Sequence, residues 1–337
     1  MINFAIVGMG HIAKKHVEAI EQAAEANLYA ICDTDPVRMQ DAGDEVKKYT
    51  DLGQMLEENP EIHVVNICVP SGLHAKLTKI VAEHKRHIIV EKPMALKLED
   101  AQSMLKDAEI NGVKLAIVHP NRFRPAVQAM KAKMDAGSFG TLSHANATVR
   151  WNRNQDYYDQ AAWRGTKEFD GGVLMNQAIH DLDLLLWLIG PVESVQAMTA
   201  TRLRKIETED VAAAVVQFKS GAIGLIEAAT TVFPKNLEES LAIFGETGSA
   251  KISGSTANFI ETWDFEDTTE EDSKAIAEKV KEDPFEKPGH QCIIEDMIEA
   301  INEDRAPIVN GEDGLAPVKL ILAILESAET GKKVVLQ

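Results

Sequence analysis

Three stretches of this chain hold residue types whose spacing suits chemistry. The first, Gly8-Met9-Gly10-His11-Ile12-Ala13, closes an apolar run and opens a helical pattern. Gly8 suits a tight turn, Gly10 leaves no Cβ where backbone approaches a pyrophosphate, and Ala13 keeps helix and strand close. The helix start, His11 and Ile12 included, turns unpaired N–H groups towards phosphates. Asp33 ends the next apolar run, 20 residues after Ala13. A carboxylate there accepts bonds from adenosine ribose hydroxyls. It also repels a 2′-phosphate, which favours NAD over NADP, although Arg38 lies close enough to serve such a phosphate.

The second stretch is Glu91-Lys92-Pro93, at the end of a later apolar run. A lysine at the C-terminal end of a parallel strand points into the crevice where doubly wound folds bind ligands. Pro93 biases Lys92 towards extended backbone, which holds its direction. Beside a nicotinamide cation and partly desolvated, its ammonium has a lowered pKa and can trade protons with a substrate hydroxyl. Spacing alone fits a plain surface lysine equally well.

In the third, Asn176, His180 and Asp183 fall at i, i+4 and i+7, one stripe of a helix. His180 is an acid/base candidate, and a core histidine whose ring Asp183 holds fits the same spacing. The trio makes a poor zinc site, because an amide is a weak ligand and no cysteine is near; no metal is expected. Upstream, Arg164 can meet a phosphate, and Trp163 can pack on a ring or simply belong to the core. Asn121 and Arg122, where the chain leaves its first domain, are candidate substrate contacts.

These residues need elements to position them. The first 120 residues alternate short apolar runs (Phe4–Val7, Leu28–Cys32, Val64–Val69, His87–Val90, Lys114–Val118) with helical patterns such as 12–26 and 98–110. Unbroken apolar strands separated by helices predict a doubly wound α/β domain with a parallel sheet. Beyond residue 120, strand candidates at 141–151, 194–203, 210–218, 222–232 and 239–245 follow one another through turns such as Lys219-Ser220-Gly221. That rhythm predicts an α+β domain with a largely antiparallel sheet over 121–337, with helices at 173–189 and 289–303. The charged stretch 264–283 reads as a solvated loop or exposed helix.

Composition narrows the function further. Lysine and arginine number 35 against 53 aspartates and glutamates, a net charge of −18. Such a surface disfavours nucleic acid and anionic membranes. The three cysteines, Cys32, Cys68 and Cys292, form no CxxC pair, which argues against disulfide scaffolds and structural zinc. No signal peptide or membrane span is evident, so a cytoplasmic protein is expected.

Taken together, GMGHIA, Asp33, Val69-Pro70-Ser71 with His74, Glu91-Lys92-Pro93 and the run Gly171-Gly172-Val173-Leu174-Met175-Asn176-Gln177-Ala178-Ile179-His180-Asp181-Leu182-Asp183 resemble the Gfo/Idh/MocA family of NAD(P)-dependent oxidoreductases. Ser327-Ala328-Glu329-Thr330-Gly331-Lys332 is similar to that family's ending. The resemblance implies a Rossmann domain over 1–120, then a domain whose open-faced antiparallel sheet builds a homodimer or homotetramer. It implies that Pro70, Ser71, His74 and Glu91 join the cofactor site, with Trp163 and Arg164 also expected there. Lys92 would be the catalytic lysine, and His180 its acid/base or substrate-orienting companion. Polyol dehydrogenases of the family carry aspartate where this chain has Asn176, and an amide orients a hydroxyl but cannot take its proton. The segment around Trp163 and Asn176 is similar to nucleotide-sugar 3-dehydrogenases acting on UDP-N-acetylglucosamine or its uronic acid. Arg153, Tyr157 and Tyr158, in a polar loop before it, suit a phosphate and a nucleobase. An inositol or free-sugar dehydrogenase is the alternative, and a non-catalytic NAD(P)-binding sensor is the rival outside enzymes.

Overall fold

Strands that are apolar on both faces require cover on both sides, and parallel βαβ crossovers supply it. The computed structural model describes residues 1–254 and 256–336 and divides into two units. The first comprises Met1–Pro120 and Lys287–Leu315. Its strands are β1 (Ile2–Val7), β2 (Ala26–Cys32), β3 (Lys47–Tyr49), β4 (Val64–Ile67), β5 (His87–Val90) and β6 (Leu115–Ile117). They lie in the order β3-β2-β1-β4-β5-β6, and every pairing is parallel. The strand order reverses between β1 and β4, the switch point beyond whose C-terminal ends such sheets bind ligands. Gly8, Asp33 and Glu91 each directly follow one of these strands.

Two expectations change here. The β3 strand, Lys-Lys-Tyr, has no apolar run to announce it, as befits a short edge strand with charged side chains. The second change concerns the division of the chain, because Lys287–Leu315 belongs with the first unit rather than with 121–337. The helix Gly289–Asn302 buries Ile293, Ile294, Met297 and Ile298 and packs against the helix Ala13–Gln22 and β2. After it, the Ile117 N–H donates to Val309 O at 3.0 Å, extending the β6 edge. An apolar stripe in the sequence reports that a helix is buried, not which sheet buries it.

The second unit, Asn121–Glu286 with Ala316–Gln337, holds β7 (Leu142–Arg150), β8 (Val192–Ala200), β9 (Val211–Phe218), β10 (Ile223–Ala229), β11 (Glu238–Gly245), β12 (Gly248–Ser253), β13 (Phe259–Phe265) and β14 (Val334–Val335). The order is β13-β12-β11-β7-β10-β9-β8-β14, antiparallel except between β7 and β10. The helix Ile179–Ile189 packs on β7 and β11. Met198, Val215, Ile223 and Leu225 are exposed on one face of β8–β10, where register sets Leu225 against Val215. The charged stretch forms the helix Glu270–Glu282, which buries only Val280. Among the described residues no helix is long and apolar enough to cross a membrane.

Candidate active site

In the first unit, Gly8 lies at φ +90°, and a Cβ there would stand 2.8 Å from the Cys68 backbone, so only glycine fits the turn. The position a Cβ would take at Gly10 is open space. Behind it, the helix Ala13–Gln22 starts without a side-chain cap, with the Ala13 and Lys15 N–H groups donating to Gly10 O and Ile12 O and its positive end towards the glycine turn. Asp33 is buried and holds this turn: its Oδ2 accepts from the Met9 N–H at 2.7 Å, and its Oδ1 from the Asp35 N–H at 2.9 Å. Arg38, mostly exposed, has Nη1 3.9 Å from Asp33 Oδ2 and Nε 3.6 Å from Asp35 Oδ2, spending its charge on two carboxylates. The glycine cradle, the uncapped helix and the nearby carboxylate fit a dinucleotide with a free ribose hydroxyl.

Lys92 follows β5 in a turn braced on both sides. The Lys92 backbone N–H donates to Glu91 Oε2 at 3.2 Å, and Glu91 Oε1 lies 2.9 Å from His16 Nε2 and 3.3 Å from His290 Nε2. Burial raises the Glu91 pKa, but the hydrogen bonds from the two histidines outweigh it and hold the carboxyl well below its usual range. Burial lowers the His16 pKa against the pull of Glu91. A neutral His16 therefore donates to an ionised Glu91, and the Asn66 amide, 2.9 Å from Nδ1, meets the other ring nitrogen.

His16, Glu91 and His290 also form a group among the described residues whose potential ligand atoms all lie within 4.8 Å of one another. A hydrogen on each Nε2 explains that closeness without an ion. His74 begins the helix His74–Glu83 as expected, but its ring is buried. Its Nδ1 lies 2.9 Å from Pro93 O and its Nε2 2.9 Å from Val69 O. It therefore ties the Pro70-Ser71 loop to the lysine turn rather than presenting its own nitrogens to a ligand.

In the second unit, the double glycine has a specific task. Gly171 lies at φ +75°, and a Cβ on Gly172 would fall 2.1 Å from the Glu209 carboxylate. Glu209 Oε1 uses that space to accept from the Leu174 N–H at 3.0 Å, capping the next segment. Burial pushes the Glu209 carboxyl up. The segment Leu174–Ala178 is π-helical before Ile179–Ile189 becomes α-helical, so the single α-stripe expected for Asn176, His180 and Asp183 does not form. Such turns recur at functional sites because they re-aim side chains. Asn176 and His180 are half-buried, whereas Asp181 and Asp183 are buried. Asp183 binds the Arg122 guanidinium through both oxygens, at 2.9 and 2.6 Å.

Asn121 and Arg122 are themselves buried. Asn121 donates to Glu239 at 3.2 Å. The Asn176 amide donates to Asp170, whose other oxygen accepts from the Gly165 N–H and so fixes the turn after Arg164. The Arg164 guanidinium lies 4.2 Å from the Tyr157 ring centroid and 4.7 Å from that of Trp163. Arg153 stacks at 4.8 Å on Trp151 and 5.2 Å on Tyr157. Two cations thus share one phenol ring, inside a chain of net charge −18. Tyr158 is buried, with its hydroxyl on Thr230, and belongs to the core.

Sequence reasoning missed His16, His290, Glu209 and the buried acids Asp181 and Glu239. His16 lies within the helical pattern 12–26, where it shows no sign of a partner, and nothing near His290 signals a partner 199 residues away.

Comparison with known proteins bears on both units. Residues 2–119 match the oxidoreductase family with an NAD-binding Rossmann fold, and residues 127–251 match the GFO/IDH/MocA C-terminal domain. The crystal structure of the WlbA dehydrogenase from Bordetella pertussis, in complex with NADH and UDP-GlcNAcA, gives a TM-score of 0.94 at 37% identity over 100% of this chain and 98% of that one. WlbA from Chromobacterium violaceum, with the same two ligands, gives 0.93 at 39% identity over 100% and 96%. The myo-inositol 2-dehydrogenase of Thermotoga maritima is 24% identical over 100% of this chain and 99% of its own.

Proposed function

The chain belongs to the GFO/IDH/MocA family of NAD-dependent oxidoreductases, and we propose that its substrate is a nucleotide sugar of the UDP-GlcNAcA type, oxidised at the 3-hydroxyl. The likeness at 37% and 39% identity, over the whole chain, to two dehydrogenases solved with UDP-GlcNAcA carries this reading. The Arg153–Tyr157–Arg164 stack supports it, because guanidinium and aromatic faces together suit a phosphorylated nucleoside.

Bound NAD supplies the hydride acceptor. Gly8, Gly10, the helix start at His11 and Ile12, and Asp33 hold it in this reading. The chain's own chemistry is proton transfer and alignment. Lys92, as a neutral amine, takes the proton of the substrate hydroxyl, and His180 assists in orienting that hydroxyl or sharing its proton. Asn176, tied to Asp170, orients a second polar group of the sugar and takes no proton.

The direct test follows NAD reduction with UDP-GlcNAcA, UDP-N-acetylglucosamine, myo-inositol and glucose side by side. Turnover of the nucleotide sugars is expected, and turnover confined to free polyols would reject the reading. The apolar face carrying Met198, Val215, Ile223 and Leu225 leads us to expect a homodimer or homotetramer formed through it. A monomer by light scattering at micromolar concentration would contradict that expectation.

A further inference from the structure

We propose that His290 is a positioning residue for Lys92, acting through the carboxylate of Glu91. The inference rests on the assignment of Lys92 to proton transfer. One oxygen of Glu91 faces two imidazoles, His16 Nε2 at 2.9 Å and His290 Nε2 at 3.3 Å, and the other accepts the Lys92 backbone N–H at 3.2 Å. A carboxylate with one donor can still swing about its last torsion. A second donor, from a different element, fixes its plane and with it the oxygen that holds the Lys92 backbone.

The His16 and His290 rings meet edge-on with centroids 5.2 Å apart, so each limits the tilt of the other. His290 is the second residue of the helix Gly289–Asn302, whose apolar face is buried within the same unit, so its position is set by the fold and not by a free loop. On the far side of the lysine, His74 Nδ1 meets Pro93 O at 2.9 Å. The turn is gripped at both flanks, and the Lys92 side chain is left half-buried between them. Removing His290 leaves the His16–Glu91 bond in place, which separates positioning from folding.

The experiment compares full-length wild type, His290→Phe and His290→Gln, each saturated with NAD. Phe keeps an aromatic ring without a donor, and Gln keeps an N–H that can reach Glu91. Trace acetylation with acetic anhydride, read by mass spectrometry, reports Lys92 reactivity relative to the exposed Lys274. His290→Phe is expected to change that ratio by about threefold or more, through the altered surroundings of the amine. His290→Gln is expected to stay near wild type. With UDP-GlcNAcA as the probe, kcat of His290→Phe should fall roughly tenfold, the scale of a misplaced catalytic group, while KM for NAD is unchanged. An unchanged acetylation ratio in His290→Phe, or equal losses in both variants, overturns the inference. A fully active Lys92→Ala would instead overturn the assignment of Lys92 on which it rests.

Discussion

Glu91 in the first unit and the Asp181–Glu239 pair in the second are carboxylates under nearly equal burial, and their pKa values move in opposite directions. Glu91 receives donors from His16, His290 and the Lys92 backbone and stays ionised. Neither oxygen of Asp181 has a hydrogen-bond partner among the described residues. Burial and the nearby Glu239 charge raise its pKa well above the usual carboxylate range, against Arg124. Glu239 has an Asn121 donor and Arg124 at 3.6 Å, yet burial pushes it up to about 7. Burial alone therefore does not decide the charge of an acid; the count and quality of its donors do. The first unit keeps a braced anion beside the Lys92 backbone, whereas the second holds a proton on the buried Asp181–Glu239 pair.

The two sites should respond oppositely to pH. The depressed pKa of Glu91 contributes stability that is present above its unfolded value near 4.5 and is lost as pH falls below it. Glu239 behaves in reverse. Between about 4.5 and about 7 the folded chain keeps a proton that the unfolded chain has released, so stability falls as pH rises through that window.

In the first unit this contrast is tested by Glu91→Gln. Whichever way the amide turns, its N–H groups face either the two histidines or the Lys92 backbone N–H, leaving at least one donor unpaired. Unfolding free energy should drop by about 2 kcal/mol, and turnover should fall with it. Urea unfolding at pH 7 checks this, and a stability equal to wild type would mean that the histidines do not hold an anion.

Glu239→Gln should abolish much of the decline between pH 4.5 and 7, which for one proton has a slope of about 1.4 kcal/mol per pH unit. Thermal unfolding across that range tests it, and parallel curves for variant and wild type would remove Glu239 from the account. Smaller still is the effect of Asp33→Ala, which tests a third buried acid, one held by backbone donors. Losing a ribose acceptor should weaken NAD binding roughly tenfold and narrow the preference over NADP. A wild-type protein that already prefers NADP would show that Asp33 does not set the choice.

Much of the first unit was legible in the sequence because its signals are local. The Gly8–Ala13 turn, Asp33 and Glu91-Lys92-Pro93 each sit beside an apolar run, and a parallel sheet brings the ends of such runs to one edge. What supports Lys92 was hidden, since His290 meets Glu91 only through the return of 287–315, a long-range contact with no periodic trace. In the second unit, β12 alternates strictly but offers only Gly248, Ala250 and Ile252 as its inward set, two of them small, and in β13 Glu261 interrupts the face of Phe259, Trp263 and Phe265, so neither reads as a strand from its apolar residues. The i, i+4, i+7 argument for Asn176, His180 and Asp183 assumed 3.6 residues per turn, and the π-helical Leu174–Ala178 breaks that count. Gly171 and Gly172 read as a motif, but their physical purpose, room for the Glu209 cap, needs the loop before β9 to be in place.

The account turns on Lys92 as the group that moves the proton. The measurement that reaches it most directly is the single-turnover rate of NAD reduction by Lys92→Ala with UDP-GlcNAcA, alongside NAD affinity measured by calorimetry. The account predicts a rate lowered by about 10²-fold or more, the scale of general acid–base catalysis, with NAD affinity and thermal stability close to wild type. A rate within a few-fold of wild type would contradict it.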